Sequence, residues 1–318
     1  MRTLLLLLIL SLYALSVTEI VPVHQIDVNG TVKDMVLHNR TLVIATDMGH
    51  IEVWNIDNYT KKKEVSIPDV KDFMGDIMPA RLMSTDVNDG RYLLLSDSGI
   101  GGYSNLFLYE NGTLKQIFSH KEKKVLIKAR FIDHDHILFG YLGNEAALYD
   151  LKSNQERYRV QLSESKFSDF ALNDDKTLAV FSCESGVLSV IDVQHGKIIR
   201  KLEGQNVDNV YKVDFKHNII SGAGQDQRGS LYDVATGKGG YIKGHFLIYA
   251  TGLSPSASKV AFAMDEKNNI TIYNTNTRSK LALLKGQKST LNVIIFENEK
   301  RLYSASDNGS VMVWELNQ

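Results

Sequence analysis

Ile44-Ala-Thr-Asp-Met-Gly-His-Ile-Glu-Val-Trp-Asn55 runs from an apolar strand through a polar turn into a second, alternating strand that ends on tryptophan and asparagine. The same phrase returns near the C-terminus as Leu302-Tyr-Ser-Ala-Ser-Asp-Asn-Gly-Ser-Val-Met-Val-Trp-Glu315. Weaker copies lie between them. Leu93-Leu-Leu-Ser-Asp-Ser98 resumes at Leu106-Phe-Leu-Tyr109, and Ile137-Leu-Phe-Gly-Tyr141 at Ala147-Leu-Tyr-Asp150. Ala179-Val-Phe-Ser-Cys-Glu-Ser-Gly-Val-Leu-Ser-Val-Ile-Asp192 is nearly continuous. Ile219-Ile-Ser221 leads to Ser230-Leu-Tyr-Asp233, and Val260-Ala-Phe-Ala263 to Ile270-Thr-Ile-Tyr-Asn274. Alternation marks half-buried strands, and Asp, Asn and Gly between them mark hairpin turns.

Each copy has an anchor near its end: Trp54, Tyr109, Tyr149, Ile191, Tyr232, Tyr273 and Trp314, with spacings of 55, 40, 42, 41, 41 and 41 residues. A period near 41 with short strands and almost no helical pattern is that of a four-stranded propeller blade. One blade cannot bury both of its faces alone, so neighbours must cover each other around a closed ring. The expected architecture is all-β, with seven blades. The seventh ends at its third strand, and its missing outer strand is expected from Val21-Pro-Val-His-Gln-Ile-Asp-Val28. Pro22 suits the start of such an edge strand because it donates no ladder hydrogen bond.

The N-terminus reads as an export signal. Leu4 to Leu15 is nearly all apolar, and Ala14-Leu15-Ser16 offers small residues two apart for cleavage. The run is too short for a membrane span. Residues 1–16 are therefore expected to be a cleaved signal peptide, and residues 17–318 a single domain. Cys183 is the only cysteine, which excludes an intramolecular disulfide and a cysteine-based metal cage. An exported chain without disulfides fits a bacterial periplasm. Its 36 basic and 37 acidic residues nearly cancel, giving no electrostatic reason to expect nucleic acid or an anionic membrane as partner.

The repeats resemble WD40 repeats in degenerate form. The family's Trp-Asp ending is replaced by Trp54-Asn55, Trp314-Glu315, Tyr149-Asp150 and Tyr232-Asp233. Its Gly-His pair before the innermost strand survives only at Gly244-His245, with Gly204-Gln205 and Gly286-Gln287 elsewhere. Gly49-His50 lies in a turn between second and third strands and is not an equivalent. In overall design, an exported, single-cysteine ring of about 300 residues is similar to the NapL-type propeller accessory proteins of periplasmic nitrate reductase systems in ε-proteobacteria. That resemblance implies support of a molybdenum enzyme in the periplasm.

No serine-hydrolase elbow, phosphate loop or His-Glu-x-x-His occurs. His134-Asp135-His136 is the densest pair of metal-ligand types, and it reads as a turn of blade 3. Asp47, Glu145, Glu184, Asp226, Asp265 and Asp307 fall in turns at one end of the ring, where such residues close hairpins on their own backbone. Met74, Met78 and Met83 read as packing residues more readily than as a soft-metal site. Lys61-Lys62-Lys63 and Lys121-Glu122-Lys123-Lys124 read as solvated outer-hairpin turns. Neither a catalytic group, a metal nor a cofactor is called for.

The long first spacing holds two insertions. One is Asp69-Val-Lys-Asp-Phe-Met-Gly-Asp-Ile-Met-Pro-Ala80, and the other Ser98-Gly-Ile-Gly-Gly-Tyr-Ser104. Both belong to connections on the same face, so they are expected to be neighbours. They are either a self-packed loop pair or a binding surface, with Phe73, Met74, Ile77, Met78 and Tyr103 as contact residues. Asp27-Val-Asn29-Gly-Thr31 fits the acidic acceptor sequence of bacterial N-glycosylation, so Asn29 is the expected acceptor. The expected function is a non-enzymatic periplasmic scaffold that binds protein partners, nitrate reductase components among them. A general envelope-assembly scaffold and a small-molecule propeller enzyme such as a lactonase are the alternatives.

Overall fold

A computed structural model describes residues 17–316. The export signal expected in residues 1–16 lies outside the described residues. The rest is almost wholly β, arranged as seven sheets around an axis. Blade 1 comprises Val32–His38, Thr41–Thr46, His50–Asn55 and Thr60–Ser66, from the axis outward. Blade 2 comprises Leu82–Asn88, Arg91–Asp97, Ser104–Glu110 and Thr113–Phe118. Blade 3 is Leu126–Phe131, His136–Tyr141, Glu145–Asp150 and Gln155–Gln161, and blade 4 is Phe167–Leu172, Leu178–Cys183, Leu188–Asp192 and Lys197–Leu202. Blade 5 is Val210–Lys216, Ile219–Gly224, Arg228–Asp233 and Gly239–Lys243. Blade 6 is Thr251–Leu253, Lys259–Ala263, Ile270–Asn274 and Lys280–Leu284.

Blade 7 takes Leu291–Phe296, Arg301–Ser306 and Ser310–Glu315 from the C-terminal end, and His24–Asp27 as its outer strand. The pairing is antiparallel, with His24 opposite Val313 and Asp27 opposite Ser310. The N-terminal strand therefore closes the ring as expected. Thr18–Ile20 was not foreseen as a strand. It adds a fifth, parallel strand to the outer edge of blade 6, with Thr18 opposite Ala282 and Ile20 opposite Leu284. The segment thus stitches two blades, with Pro22 in the step between them.

All seven anchors sit one residue before the end of a third strand. The residue after the anchor shapes the next turn. Asn55, Asp150, Asp192, Asp233 and Asn274 each accept a backbone N–H two or three residues on. Blade 2 has Glu110 there and turns instead through Asn111 and Gly112, both at positive φ. In blade 7 the Trp314 indole donates to Ser304, whose hydroxyl donates to the buried Gln287. Gln287 thereby ties the connection from blade 6 into the blade.

The core divides into seven apolar clusters, one between each neighbouring pair of blades. Second strands are buried on both faces. Val43 and Ala45 face blade 2, whereas Leu42 and Ile44 face blade 7. This explains why these strands read as continuous apolar runs while outer strands alternate. Two sequence expectations need correction. Lys61–Lys63 are not a turn but part of the outer strand of blade 1, where charge protects an exposed sheet edge. The Lys121–Lys124 run lies after the outer strand of blade 2, not after a third strand. It forms a single 3₁₀ turn, His120–Glu122, capped by Ser119, and Lys124 reaches Glu156 of blade 3.

The closing strand predicts a stability difference. Ile26 is buried in the cluster between blades 7 and 1, whereas Val21 is exposed. Ile26→Ala should lower unfolding free energy by roughly 2–4 kcal/mol. Val21→Ala should change it by less than about 0.5 kcal/mol. Urea unfolding of both variants checks this, and an Ile26→Ala protein as stable as wild type would contradict closure.

Candidate functional site

Connections between blades, and turns between second and third strands, share one face of the ring. Twelve large apolar side chains are exposed among the described residues. Seven of them lie on this face: Met48, Phe73, Met74, Ile77, Met78, Ile100 and Val207. The other five lie on outer strands or beside the N-terminal stitch, and none in the turns of the opposite face.

The Asp69–Ala80 insertion folds into a small hairpin in which Val70 faces Met78 and Lys71 faces Ile77. The Asp72 carboxylate accepts the backbone N–H groups of Met74 and Asp76, both at 2.9 Å. Gly75 takes the positive φ that the turn needs. The tip is therefore held by its own backbone, yet Phe73 is 93% exposed, Met74 74% and Ile77 71%. The hairpin's own fold leaves these side chains uncovered. The second insertion lies against the first, as expected: a Cβ at Gly99 would collide with the Lys71 carbonyl. Tyr103 behaves differently from the other four. It is half-buried and lies over Gly101 of its own loop. Ile100, missed in the sequence, is the exposed apolar side chain of that insertion.

Four of the six turn acids close turns or connections. Asp47 accepts the Thr31 N–H, Asp226 those of Val207 and Arg228, and Asp265 those of Lys267 and Asn269. Asp307 accepts from the Asn292 side-chain amide. Glu145 and Glu184 lie near Arg159 and Lys166. His134 and His136 each pair with a neighbouring aspartate in their turn. Met83 packs beside the cluster between blades 2 and 3, while Met74 and Met78 are exposed on the hairpin.

Charge gathers instead in the axial channel, a space of about 390 Å³ lined by the innermost strands. Six of these strands carry a β-bulge at the same place, skipping Lys33, Met83, Ile127, Ser168, Tyr211 and Asn292 in the register. The next residue in each is Asp34, Ser84, Lys128, Asp169, Lys212 or Val293, so acids and bases alternate around part of the channel. Two residues further along come Asp86, Arg130 and Asp214. Innermost strands are sheet edges with unpaired N–H groups, and these carboxylates accept them across blade boundaries. Asp34 takes the Thr85 N–H, Asp86 that of Phe131, Asp169 that of Val213 and Asp214 that of Leu253.

Arg130 grips Asp34 through two nitrogens at 2.8 and 2.9 Å, and Lys128 reaches Asp169 at 2.6 Å. Burial pushes the Asp34 carboxyl upward, but Arg130, with Lys128 and Lys212, more than offsets it and holds the group at about 2. Each of these carboxylates accepts a backbone N–H from the next blade, and Asp34 and Asp169 also pair with cations. No protein-family model matches the chain, and no curated protein matches it.

The axial pair predicts acid sensitivity. A carboxyl held below its ordinary value contributes stability that is complete above pH 3.8 and is lost as pH falls toward 2. For Asp34 that contribution is roughly 2 kcal/mol. Asp34→Asn leaves Arg130 buried without its counter-charge and should cost about 3–5 kcal/mol near neutral pH. The gap between wild type and variant, measured by urea unfolding at several pH values, should narrow across this acid window. A gap that stays constant to pH 2 would remove Asp34 as its source.

Proposed function

We propose that this protein is a binding platform for protein partners, working through the face that carries the Asp69–Ala80 hairpin. The observation that carries the reading is the exposure of Phe73, Met74 and Ile77 on a tip whose backbone is fixed by Asp72. Ordering a loop on binding costs affinity, so a rigid tip keeps more of its contact energy. The channel supports binding over catalysis, because its acids are hydrogen-bonded to neighbouring blades. Among the described residues no helix is long and apolar enough to cross a membrane.

The finer reading rests on the sequence. The apolar run Leu4–Leu15 supports export to the periplasm. The resemblance to nitrate reductase accessory propellers supports a component of that enzyme as the client. Tyr103 stays in the proposed surface as a half-buried residue of the neighbouring loop, with Phe73, Met74, Ile77 and Met78 as the direct contacts.

A pull-down of periplasmic proteins should compare wild type, a Phe73→Ala/Met74→Ala/Met78→Ala variant and Lys300→Ala, an exposed residue on the opposite face. The triple variant should lose partners that Lys300→Ala retains, since truncating one good anchor costs on the order of 1–2 kcal/mol. Equal capture by all three would discard this face. Unaltered nitrate reductase activity in a strain lacking the gene would discard the client and leave the general envelope scaffold.

Asn29 is exposed, and its backbone N–H is already engaged with Glu52, so a glycan there would displace no hydrogen bond of the fold. In a host with bacterial N-glycosylation, intact mass should show one glycan that Asn29→Gln removes. An unmodified wild-type chain from that host would reject the site.

A further inference from the structure

We propose that His50, Glu52 and Glu64 form a zinc-class metal site at the seam where blade 7 closes onto blade 1. His50 and Glu52 are two apart on a strand and so share a face. Glu64 is the registered partner of Glu52 on the outer strand. One imidazole nitrogen and two carboxylate oxygens thereby lie within 4.8 Å of one another, the one such group of three among the described residues. His50 and Glu52 are 3% and 1% exposed. That distinguishes them from a solvated acidic cluster.

Each buried ligand is held by its far atom. His50 Nδ1 lies 3.2 Å from the Met48 carbonyl oxygen, a contact that calls for an N–H there. That leaves Nε2 as the nitrogen facing Glu52. The Trp54 indole donates to Glu52 Oε2 at 2.8 Å, leaving Oε1 toward His50. Outer partners of this kind orient the ligands of metal sites.

The spacing between the two ligand atoms is the second observation. His50 Nε2 stands 3.5 Å from Glu52 Oε1 and 3.5 Å from Thr46 Oγ1. A charge-assisted hydrogen bond would close to about 2.7–2.9 Å. Two ligands on one tetrahedral zinc, each at about 2.0–2.2 Å from the metal, stand about 3.4 Å apart. The buried pair stands at a separation that two ligands of one zinc can share, and no closer partner takes up Nε2.

Lys61 supplies a cation to the same place. Its ammonium is 2.9 Å from Glu64 and 3.5 Å from Glu52. Lys61 is partly exposed on an outer strand and has solvent to swing into. An imidazole with two carboxylates suits zinc and disfavours magnesium, which demands an oxygen shell. Three protein ligands leave a fourth position for water. Glu52 Oε1 also accepts the Asn29 N–H at 3.2 Å, just beyond the closing strand. A bound metal would therefore clamp the third and outer strands of blade 1 beside the seam, independently of what docks on the hairpin face.

The test is calorimetric titration of chelator-treated protein with Zn²⁺ and, separately, Mg²⁺, alongside thermal unfolding in each ion. One zinc per chain should bind and raise the melting temperature, and magnesium should do neither. Glu64→Gln alters an exposed side chain and should keep the wild-type circular dichroism spectrum, yet weaken zinc binding at least about tenfold. Lys61→Ala removes the competing cation and should tighten it. Absence of zinc binding by wild type overturns the site. So does zinc binding that Glu64→Gln leaves unchanged, which would place the ion on surface histidines, or magnesium binding equal to zinc.

Discussion

The antiparallel pairing of His24–Asp27 with Ser310–Glu315 is the contact on which the ring depends. Without it blade 7 would be three strands with an open edge, and Ile26 would leave the cluster it shares with Val32, Leu42 and Tyr303. Opening one seam of a closed ring exposes two blade faces at once, because each cluster is made by two blades. The seam carries more than strand pairing. His24 stacks on Tyr59 with ring centroids 4.1 Å apart, and Asn29 donates its N–H to the buried Glu52. Thr18–Ile20 extends the fastening to blade 6, so one N-terminal segment secures two neighbours.

The axis is fastened by different chemistry. Blade clusters are apolar and non-directional, and they would tolerate small rotations of one blade against the next. The axial aspartates do not. Each accepts a specific backbone N–H from the following blade, and Arg130 spans the channel's blades to grip Asp34. Such buried pairs add little net stability over an apolar replacement, but they fix geometry, because a misplaced blade would leave a buried charge unpaired. Apolar faces hold the blades together, and the axial charges add directional contacts between consecutive blades from blade 1 to blade 6.

The two faces of the ring are unequal as a result. Turns on one face are short, five of them closed by Asp or Asn on their own backbone after a third strand, and among the described residues they expose no large apolar side chain. The other face bears the longer connections and the hairpin tip. A scaffold that is rigid at the axis can carry a projecting tip without the tip disturbing the core. This is the usual relation between a fixed framework and the loops that bind.

The blade count, the anchor positions and the closing role of the Val21–Val28 stretch follow from the chain alone, because each blade is a local unit whose strands are consecutive. The 41-residue period records that unit directly, and the long first spacing locates the insertion containing Phe73 and Met74. Asp34 and Arg130 are 96 residues apart in the chain, and no local pattern pairs them. Nor does the sequence foretell that Tyr103 lies over its own glycine while Ile100 is exposed, or that Thr18–Ile20 joins blade 6. His50, dismissed in the sequence as a turn residue, meets Glu64 only through the strand register between Glu52 and Glu64. Periodicity reports which face of a strand is buried, whereas the partner across a blade boundary is set by ring closure, which brings together residues distant in the chain.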